Sequence, residues 1–423
     1  MRAAIRPGPA PAGTLTAPPS KSMAHRAVLC AALAAGTSRL THLAHSQDID
    51  ATLGAAAAFG AAVRTGEDWA EIAGTGAFRP AAGPVDCCES GSTLRFLIPL
   101  AALSGQPVTF TGHGRLMQRP QGVYQELFAR QGLRFEQAGD TLTVAGPLRA
   151  GEFELAGDVS SQFVSGLLFA LPLLDGDSIL RLRPPVESRS YIQMTRAAQA
   201  SFGVESRWLD ENTLSVTGNQ HYTPCNTAVE GDWSQAAFPA VLGALAGDVT
   251  VTGLAADTLQ GDVVIARILR RCGAAVEQAG GGFRFRKSPL QGTDIDLADC
   301  PDLGPVLMAM GLLCRGKTVI RNAGRLRLKE SDRIAAMEQE LRKFGGRIES
   351  EGGTITIWES PLHPPAEPLQ SHNDHRVVMS LTVLAAAAGV PAVMEGAEAI
   401  RKSWPGFFAA MRQLGLEVDQ DAG

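Results

Sequence analysis

Six glycines mark a repeating pattern of hydrophobic and polar positions along the chain. Each follows an apolar helical run and precedes a β-prone segment: Gly60, Gly132, Gly203, Gly273, Gly345 and Gly415. Their spacing is nearly constant. A glycine just after a periodic helix is typical of a left-handed C′ cap. The alternating residues 204–208 and 347–349 predict half-buried strands. The pattern therefore predicts six structural units of about 70 residues.

The main helix of each unit has a second signal at its start. Small or acidic residues stand there with nearly the same period: Ser22, Ser92, Ser161, Ser234, Asp302 and Asp374. These residue types cap helix N-termini. The segments that follow, such as LRFLIPLAAL and RVVMSLTVLAAAA, are apolar on nearly every face. We therefore expect helices buried at the centre of their domain, with sheets packed outside.

A turn-rich passage and the segment before the first unit's helix divide the six units into two groups. This repeat is longer than the common solenoid units, and six copies in a chain of this length suggest two lobes of three. Residues 221–229 (HYTPCNTAV) and residues 14–20 are the predicted crossings. We expect one lobe from residues 1–19 plus 229–423 and the other from residues 20–228.

Composition narrows the class of protein. Of the 423 residues 45% are hydrophobic and 19% are charged, so large cores can form and disorder is excluded. The net charge of −5 gives the chain as a whole no electrostatic reason to bind nucleic acid. Seven cysteines without a C-x-x-C motif fit reduced thiols. With no apolar signal segment or membrane span recognisable, we expect a cytoplasmic protein.

Basic residues cluster near the predicted helix starts. They are Lys21, Arg26, Arg95, Arg119, Arg327, Lys329, Arg333, Arg376 and Lys402. Ser160, Ser161 and Gln162 open the third unit, where hydroxyls and backbone amides suit a dianionic phosphate. Any one of these cations alone would normally be a solvated surface charge. Together, at matched helix starts, they predict one or two small, multiply anionic ligands between the lobes.

Two carboxylates stand among these cations. Asp302 lies at a predicted helix start and Glu330 directly follows Lys329. Each is either a helix cap or a member of an acid/base pair, and His375 is equally ambiguous. The sequence shows no nucleophile motif around Ser22, Ser160 or Ser161 and no metal-ligand spacing. Covalent catalysis and a metal centre are therefore not predicted.

Nine segments resemble the signatures of one family in their usual order. They are PSKSMAHR, GRLMQRP, GDVSSQF, ESRSYIQMT, VEGDWSQAA, PDLGPVLMAMG, LKESDRIAAMEQELRKFG, NDHRVVMS and RKSWPGFF. The family is that of the 3-phosphoshikimate 1-carboxyvinyltransferases (EPSP synthases), among the enolpyruvyl transferases. The resemblance implies a two-lobed α/β (α+β) fold of six βαβαββ repeats, three per lobe, around buried parallel helices.

The resemblance also implies a reaction and a set of site residues. The enolpyruvyl group of phosphoenolpyruvate would pass to the 5-hydroxyl of shikimate 3-phosphate, with release of phosphate. Shikimate 3-phosphate would meet Ser22, Arg26, Ser160, Ser161, Gln162, Ser188, Tyr191, Asp302 and Lys329. Phosphoenolpyruvate would meet Lys21, Gly91, Arg119, Gln162, Arg333, Arg376 and Lys402. The catalytic residues would be Asp302, Glu330, Lys21 and His375.

Each catalytic residue has an expected role in an addition and elimination. Asp302 would take the hydroxyl proton, and Glu330 would serve C3 of the enolpyruvyl group in both directions. Lys21 would stabilise or protonate the departing phosphate, and His375 would complete the centre. We expect no cofactor, no metal, no nucleic acid and no membrane partner, and a monomeric protein.

Two segments depart from the family pattern at four positions, and two other functions stay open. Glu89 and Ser92 stand where many relatives have Asn and Thr, and Arg325 and Leu326 replace an Asn-Trp pair. The first alternative is the sister transferase that acts on UDP-N-acetylglucosamine. That group typically carries a reactive Cys in the loop matching residues 112–120, which has none here. The second is a non-catalytic repeat scaffold that binds anions.

Overall fold

The computed structural model describes residues 1–79 and 81–421 of the chain. Residue 80, in the predicted second lobe, and residues 422 and 423, at the end of the first, lie outside the described residues. The chain divides into two compact units: unit 1 is Met1–Ser20 with Glu230–Gly423, and unit 2 is Lys21–Val229. Both boundaries fall one residue later than those predicted.

Twelve α-helices lie in the described residues. They are α1 (Lys21–Leu33), α2 (Gln47–Ala58), α3 (Gly91–Ala101), α4 (Gly122–Gln131), α5 (Ser161–Ala170), α6 (Arg189–Ser201), α7 (Trp233–Ala246), α8 (Val264–Arg271), α9 (Gly304–Gly311), α10 (Arg333–Lys343), α11 (His375–Ala388) and α12 (Phe407–Gln413).

Twenty-four strands accompany these helices. They are β1 (Arg2–Arg6), β2 (Ala12–Thr16), β3 (Ala35–Thr41), β4 (Ala62–Thr65), β5 (Trp69–Thr75), β6 (Val85–Asp86), β7 (Val108–Thr111), β8 (Arg134–Ala138), β9 (Thr141–Ala145), β10 (Glu152–Ala156), β11 (Ser178–Arg183), β12 (Arg207–Trp208), β13 (Thr213–Val216), β14 (Thr227–Ala228), β15 (Asp248–Thr252), β16 (Ala275–Ala279), β17 (Gly282–Arg286), β18 (Asp294–Asp296), β19 (Lys317–Arg321), β20 (Arg347–Glu351), β21 (Thr354–Trp358), β22 (Leu369–Gln370), β23 (Ala392–Glu395) and β24 (Glu417–Asp421).

The strands form six four-stranded sheets, three in each unit. The orders in unit 2 are β14-β3-β5-β4, β6-β7-β9-β8 and β10-β11-β13-β12. Those in unit 1 are β16-β17-β15-β2, β18-β19-β21-β20 and β22-β23-β1-β24. In β6-β7-β9-β8, for example, β6 and β7 are parallel across α3, and the hairpin β8–β9 pairs antiparallel with β7. One βαβαββ unit therefore makes one sheet.

The exchange of short strands explains why the N-terminal segment belongs to unit 1. Strand β2 pairs parallel with β15, with Thr14 opposite Thr250, although the whole of unit 2 separates the two strands in sequence. Strand β1 pairs with β23 and β24 of the last repeat. Conversely, β14 pairs parallel with β3 and completes the first sheet of unit 2. The chain thus crosses between the units at the ends of the segments 14–20 and 221–229.

Each unit has its own hydrophobic core around nearly all-apolar helices. In unit 2, α3 and α5 bury almost every residue, including Leu94, Phe96 and Leu167. In unit 1, α7, α9 and α11 do the same. A helix that is hydrophobic all round must be buried on all sides. The predicted central helices are therefore confirmed. Their N-termini lie where the polar segments end and the apolar helical residues begin.

The six repeat glycines follow even-numbered helices, as the pattern predicts. Their φ angles are +102° at Gly60, +68° at Gly132, +78° at Gly203, +97° at Gly273, +84° at Gly345 and +92° at Gly415. Only glycine adopts this region without steric cost. The regular spacing of these glycines therefore reflects the regular spacing of helix C-termini.

Some of the predicted element starts were wrong by a residue or two. The side chains that cap α3, α5 and α7 belong to Ser90, Ser160 and Asp232. Asp374 does cap α11, but Asp302 lies in a 3₁₀ turn, Pro301–Leu303, that precedes α9. Of the predicted strand 204–208 only β12 forms. Cap types are common at neighbouring positions, so the pattern alone does not select the capping residue.

Among the helices of the described residues, none combines the length and apolarity that crossing a bilayer requires.

Close packing of α5 against α3 depends on Gly166. A Cβ atom there would overlap the carbonyl oxygen of Arg95 and the hydroxyl of Tyr124. Gly166→Ala should therefore lower the free energy of unfolding by roughly 1–3 kcal/mol, as overpacking does. Urea denaturation measures the change. The control is Gly54→Ala in α2, where a Cβ has no neighbour within 4 Å. It should raise stability by about 0.5–1 kcal/mol; equal effects at both sites would contradict this account.

Candidate active site

In unit 1, three helix starts and two short segments carry the predicted site residues. Asp302 precedes α9, Lys329 and Glu330 precede α10, and Arg333 is the first residue of α10. His375 and Arg376 open α11, and Lys402 ends a 3₁₀ helix, Ala397–Lys402. The site thus draws on residues from two successive repeats, from segments that are distant in sequence.

Arg333 lies at the centre of this cluster. Its guanidinium donates from Nε to Asp374 Oδ2 at 2.8 Å and from Nη2 to Asp374 Oδ1 at 3.2 Å. Nη1 donates to Asp302 Oδ1 at 3.1 Å, and Nη2 lies 3.7 Å from Glu330 Oε1. The side chain of Arg333 is only 2% exposed. One buried cation therefore holds carboxylates from three segments.

The charges at Arg333 and Asp374 stabilise one another. Burial alone would lower the pKa of Arg333, but Asp374, Asp302 and Glu330 outweigh it and raise that pKa. Burial would likewise raise the pKa of Asp374, and the Arg333 guanidinium outweighs it, so that pKa lies below its usual range. Both groups are ionised at neutral pH.

The two predicted acid/base residues occupy different surroundings. Asp302 lies 3.4 Å from Lys329 Nζ and 3.3 Å from Arg376 Nη2, and Arg376 also donates to its backbone oxygen. Glu330 Oε2 lies 2.9 Å from Nδ1 of His375, which is 1% exposed. Asp302 and Glu330 keep 19% and 13% of their side-chain surface exposed, so a ligand can reach both carboxylates.

The side chain of Lys402 contacts the cluster at a backbone oxygen. Its Nζ donates to the carbonyl oxygen of Asn373 at 2.6 Å, directly before Asp374. The cluster as a whole combines four cations with three carboxylates. An anionic ligand can bind such a surface through charge-assisted hydrogen bonds.

The same cluster contains a set of atoms with metal-like spacing. Ligand atoms of Glu330, Asp374 and His375 all lie within 4.8 Å of one another. Arg333, however, already binds both oxygens of Asp374 and lies beside Glu330. A divalent cation would be repelled by this fixed positive charge. The set is better suited to proton transfer than to a metal.

In unit 2, the start of α1 carries Lys21, Ser22 and Arg26. Lys21 Nζ lies 2.5 Å from Asp48 Oδ2 of α2. Arg26 is buried and donates to Thr195 Oγ1, Ser165 Oγ and the backbone oxygens of Ser22 and Tyr191. Burial lowers the pKa of Arg26 to about 10, which still leaves it charged. Arg26 thus ties the predicted residues Ser22 and Tyr191 to one guanidinium.

A second group lies around the start of α3. A Cβ on Gly91 would overlap the guanidinium of Arg119, so the glycine lets that cation lie against the helix start. Gln162 of α5 accepts from Arg95 Nη1 at 2.9 Å and donates to Ser92 Oγ at 3.0 Å. Arg95 also donates to the backbone oxygen of Pro120. This buried arginine therefore links Gln162 to the segment that carries Arg119.

The predicted phosphate residues stand at two further helix starts. Ser160 caps α5 by accepting from the backbone nitrogen of Gln162, and Ser161 is the first residue of that helix. Ser188 precedes α6 with a left-handed backbone, φ +54°, and Tyr191 is in its first turn. Free backbone N–H groups at such positions favour anions.

The sequence did not reveal the contacts of three residues that the structure places in these clusters. Asp48 pairs with Lys21 from the helix that follows, and no local pattern signals it. Arg95 was visible only as one more cation near a helix start. Asp374 was recognisable as a cap, but its ion pair with Arg333 was not. Each contact is formed between repeats or between helices, which local patterns do not encode.

The residues that depart from the family pattern make packing contacts or hydrogen bonds in the structure. The carboxylate of Glu89 lies against Gly114, where a Cβ would overlap it. Glu89 therefore packs on the loop that leads to Arg119. Arg325 donates to the backbone oxygen of Ala298, and Leu326 is fully buried against Gly304. The two latter residues serve packing of the α9 start.

Comparisons with known proteins agree with this geometry. The family model for EPSP synthase (3-phosphoshikimate 1-carboxyvinyltransferase) matches residues 5–411. The chain belongs to the EPSP synthase family. Curated 3-phosphoshikimate 1-carboxyvinyltransferases from Clostridium kluyveri and Clostridium beijerinckii are each 40% identical, over 96% of this chain and 96% of theirs.

Solved structures confirm the fold prediction. An EPSP synthase from Acinetobacter baumannii superposes with a TM-score of 0.80 at 25% identity, covering 99% of this chain and all of that one. The enolpyruvyl transferase NikO from Streptomyces tendae reaches a TM-score of 0.79 at 15% identity, over 99% of this chain and 98% of its own, which shows the fold alone. The predicted family and the prediction of an enzyme are confirmed by the family match.

The Arg333–Asp374 pair generates a stability prediction. Asp374→Asn keeps a residue that caps helices well but removes the charge. Since a buried guanidinium would lose its partner, the free energy of unfolding should fall by about 3–5 kcal/mol at neutral pH. The folded pKa of Asp374 lies below the ordinary value of 3.8. The difference from wild type should therefore persist above about pH 5 and shrink as the pH falls through 3.8.

Denaturation with urea at several pH values measures this difference. The matched control is Asp332→Asn, at the cap of α10, whose carboxylate is 34% exposed beside Arg327. It should cost less than about 1 kcal/mol. A pH-independent gap between Asp374→Asn and wild type would contradict the assignment.

Proposed function

We propose that this protein transfers the enolpyruvyl group of phosphoenolpyruvate to the 5-hydroxyl of shikimate 3-phosphate and releases phosphate. The observation that carries the proposal is the cluster around Arg333. It presents two reachable carboxylates, Asp302 and Glu330, each held by the same buried cation. Family membership supplies the substrates: enzymes of this family are named for 3-phosphoshikimate and the carboxyvinyl group.

Shikimate 3-phosphate would bind mainly through unit 2. The starts of α5 and α6 offer Ser160, Ser161 and Ser188 to the phosphate, where hydroxyls and backbone amides suit a dianion. Ser22 and Arg26 would bind the carboxylate, with Tyr191 and Gln162 beside the ring. Arg26 makes four hydrogen bonds within the protein, so it would also orient Ser22 and Tyr191. Asp302 and Lys329 would bind the ring hydroxyls.

Phosphoenolpyruvate would bind through a second set of cations. Lys21 pairs with Asp48, the guanidinium of Arg119 lies against Gly91, and Gln162 adds an amide. Arg333, Arg376 and Lys402 are each anchored by carboxylates or carbonyl oxygens. Preorganised cations lose little freedom on binding, so they can stabilise a ligand that carries carboxylate and phosphate.

The reaction then needs three proton transfers that the two carboxylates can make. Asp302 accepts the hydroxyl proton as the oxygen attacks C2, and Glu330 gives a proton to C3, which forms a tetrahedral phosphoketal. Glu330 then removes a proton from C3 while the C2–O bond to phosphate breaks. Lys21 neutralises or protonates the leaving phosphate. His375, 2.9 Å from Glu330, orients this carboxyl group between the two steps.

The sister transferase that uses UDP-N-acetylglucosamine is the alternative that shares this donor. The loop of residues 112–120 holds no cysteine, and the curated relatives carry the shikimate name. Phosphate release from phosphoenolpyruvate, measured in parallel with both acceptors, distinguishes these functions. We expect release with shikimate 3-phosphate only. Phosphate release with the nucleotide sugar would favour the sister enzyme. No phosphate release with either acceptor would favour an anion-binding scaffold.

The compartment and the oligomeric state stay predictions of the sequence: a cytoplasmic monomer.

Glu330→Gln separates proton transfer from binding. Because Gln cannot exchange a proton with C3, solvent exchange of the C3 protons should slow by roughly 100-fold or more. The KM for either substrate should change less than about threefold, since Gln preserves the size of the side chain. Proton NMR in deuterated water measures the exchange. Glu338→Gln, on α10 beside Arg342, is the control and should exchange normally. Wild-type exchange in Glu330→Gln would refute the role.

Lys21→Met tests the leaving-group assignment. Removing this ammonium should lower kcat/KM for phosphoenolpyruvate by roughly 100-fold, as loss of one electrostatic contact to a developing charge does. Steady-state phosphate release, with each substrate varied in turn, measures it. Lys317→Met, an exposed lysine of β19, should leave the kinetics unchanged. Unchanged kinetics for Lys21→Met would exclude contact with phosphoenolpyruvate.

A further inference from the structure

The loop of residues 371–373 holds the start of α11 in place. It leads directly into Asp374, His375 and Arg376, which contact Arg333, Glu330 and Asp302 respectively. Its Asn373 carbonyl oxygen accepts from Lys402. A small shift of this loop would therefore displace most of the cluster around Arg333 at once.

The loop adopts a backbone conformation that it does not favour. His372 and Asn373 have φ angles of +49° and +53°, so two consecutive non-glycine residues are left-handed. Such residues persist only where surrounding contacts hold them, and they are concentrated at functional sites. Inside the loop, Ser371 Oγ accepts from the backbone nitrogen of Asn373. A further contact must fix His372.

Glu340 provides that contact from α10. Its carboxylate is fully buried; Oε1 lies 2.9 Å from His372 Nε2, and Oε2 accepts from the backbone nitrogen of Gln370 at 2.9 Å. Lys343 Nζ, one turn along the same helix, lies 2.8 Å from Oε2. Burial would raise the pKa of Glu340, but these hydrogen bonds outweigh it and lower that pKa.

The position of Glu340 on α10 relates it to the active site. It follows Arg333 by two helical turns, so both side chains lie on the same face of the helix. Arg333 holds the loop at Asp374, and Glu340 holds it at His372 and Gln370. One face of α10 thus makes hydrogen bonds on both sides of the left-handed turn.

We propose that Glu340 and His372 are a positioning pair for the reaction. Through the turn at 372–373 they set the direction of the Asn373 carbonyl oxygen toward Lys402 and the placement of Asp374 and His375. This inference rests on the proposed function for its kinetic consequences, but the contact itself is independent of it. Nothing in the reaction requires either residue to touch a substrate.

Two amide substitutions at His372 test the pair. In His372→Gln, the side-chain nitrogen reaches about as far as imidazole Nε2 and can still donate to Glu340. In His372→Asn the amide is too short. We expect His372→Asn to lower kcat/KM for phosphoenolpyruvate roughly tenfold, mostly in kcat, and His372→Gln to stay within about threefold of wild type. Thermal unfolding shows whether both variants are folded.

The expected order is opposite to what backbone preference predicts. Among non-glycine residues, Asn adopts left-handed conformations readily and Gln does so rarely. If His372 mattered only as a tolerated left-handed residue, His372→Asn would equal or exceed His372→Gln in activity. That result would overturn the proposal. Glu340→Gln combined with His372→Asn should lose no more activity than the worse single variant, whereas additive losses would show that the two residues act separately.

Hydrogen exchange gives a readout that does not depend on activity. Amides of residues 371–376 should exchange faster in His372→Asn than in wild type and as slowly as wild type in His372→Gln. Equal exchange in all three proteins would overturn the pair. If wild type releases no phosphate with shikimate 3-phosphate, the proposed function fails, while the exchange result still decides whether the pair holds the turn.

Discussion

The ion pair between Arg333 and Asp374 is the interaction on which the unit 1 site depends. A guanidinium 2% exposed beside a fully buried carboxylate is stable only because each neutralises the other. From this pair the guanidinium extends to Asp302 and Glu330, so it fixes both proposed acid/base groups relative to one cation. The stability of the core and the geometry of the site are therefore carried by the same contact.

Buried apolar helices explain why polar residues gather at helix starts. A helix buried on every face leaves only its ends for polar residues, and the first turn there has free N–H groups. The start of such a helix can thus offer N–H groups to an anion, as we propose for Ser160 in unit 2 and for Arg376 in unit 1. Because the βαβαββ unit is repeated, the chain has several such helix starts within one type of fold.

The clusters differ in how their cations are held. In unit 2, Arg26 and Arg95 donate mainly to neutral oxygens, and burial lowers their pKa values. In unit 1, carboxylates surround Arg333 and raise its pKa. The first arrangement keeps uncompensated positive charge for an anion, which suits binding. The second provides carboxylates next to a cation, which suits proton transfer.

Hydrophobic periodicity and the glycine spacing determined the repeat and the central helices, because these are local properties that recur in each unit. The family was identified by nine sequence segments that resemble its signatures. Helix starts with their cations, such as Lys21 and Arg376, were also visible because they too are local. The partners of those cations were not: Asp48, the Arg95–Gln162 bond and the Glu340–His372 contact join segments that only packing brings together. Periodicity specifies which face of an element is buried, whereas the neighbour across that face is chosen by the tertiary fold.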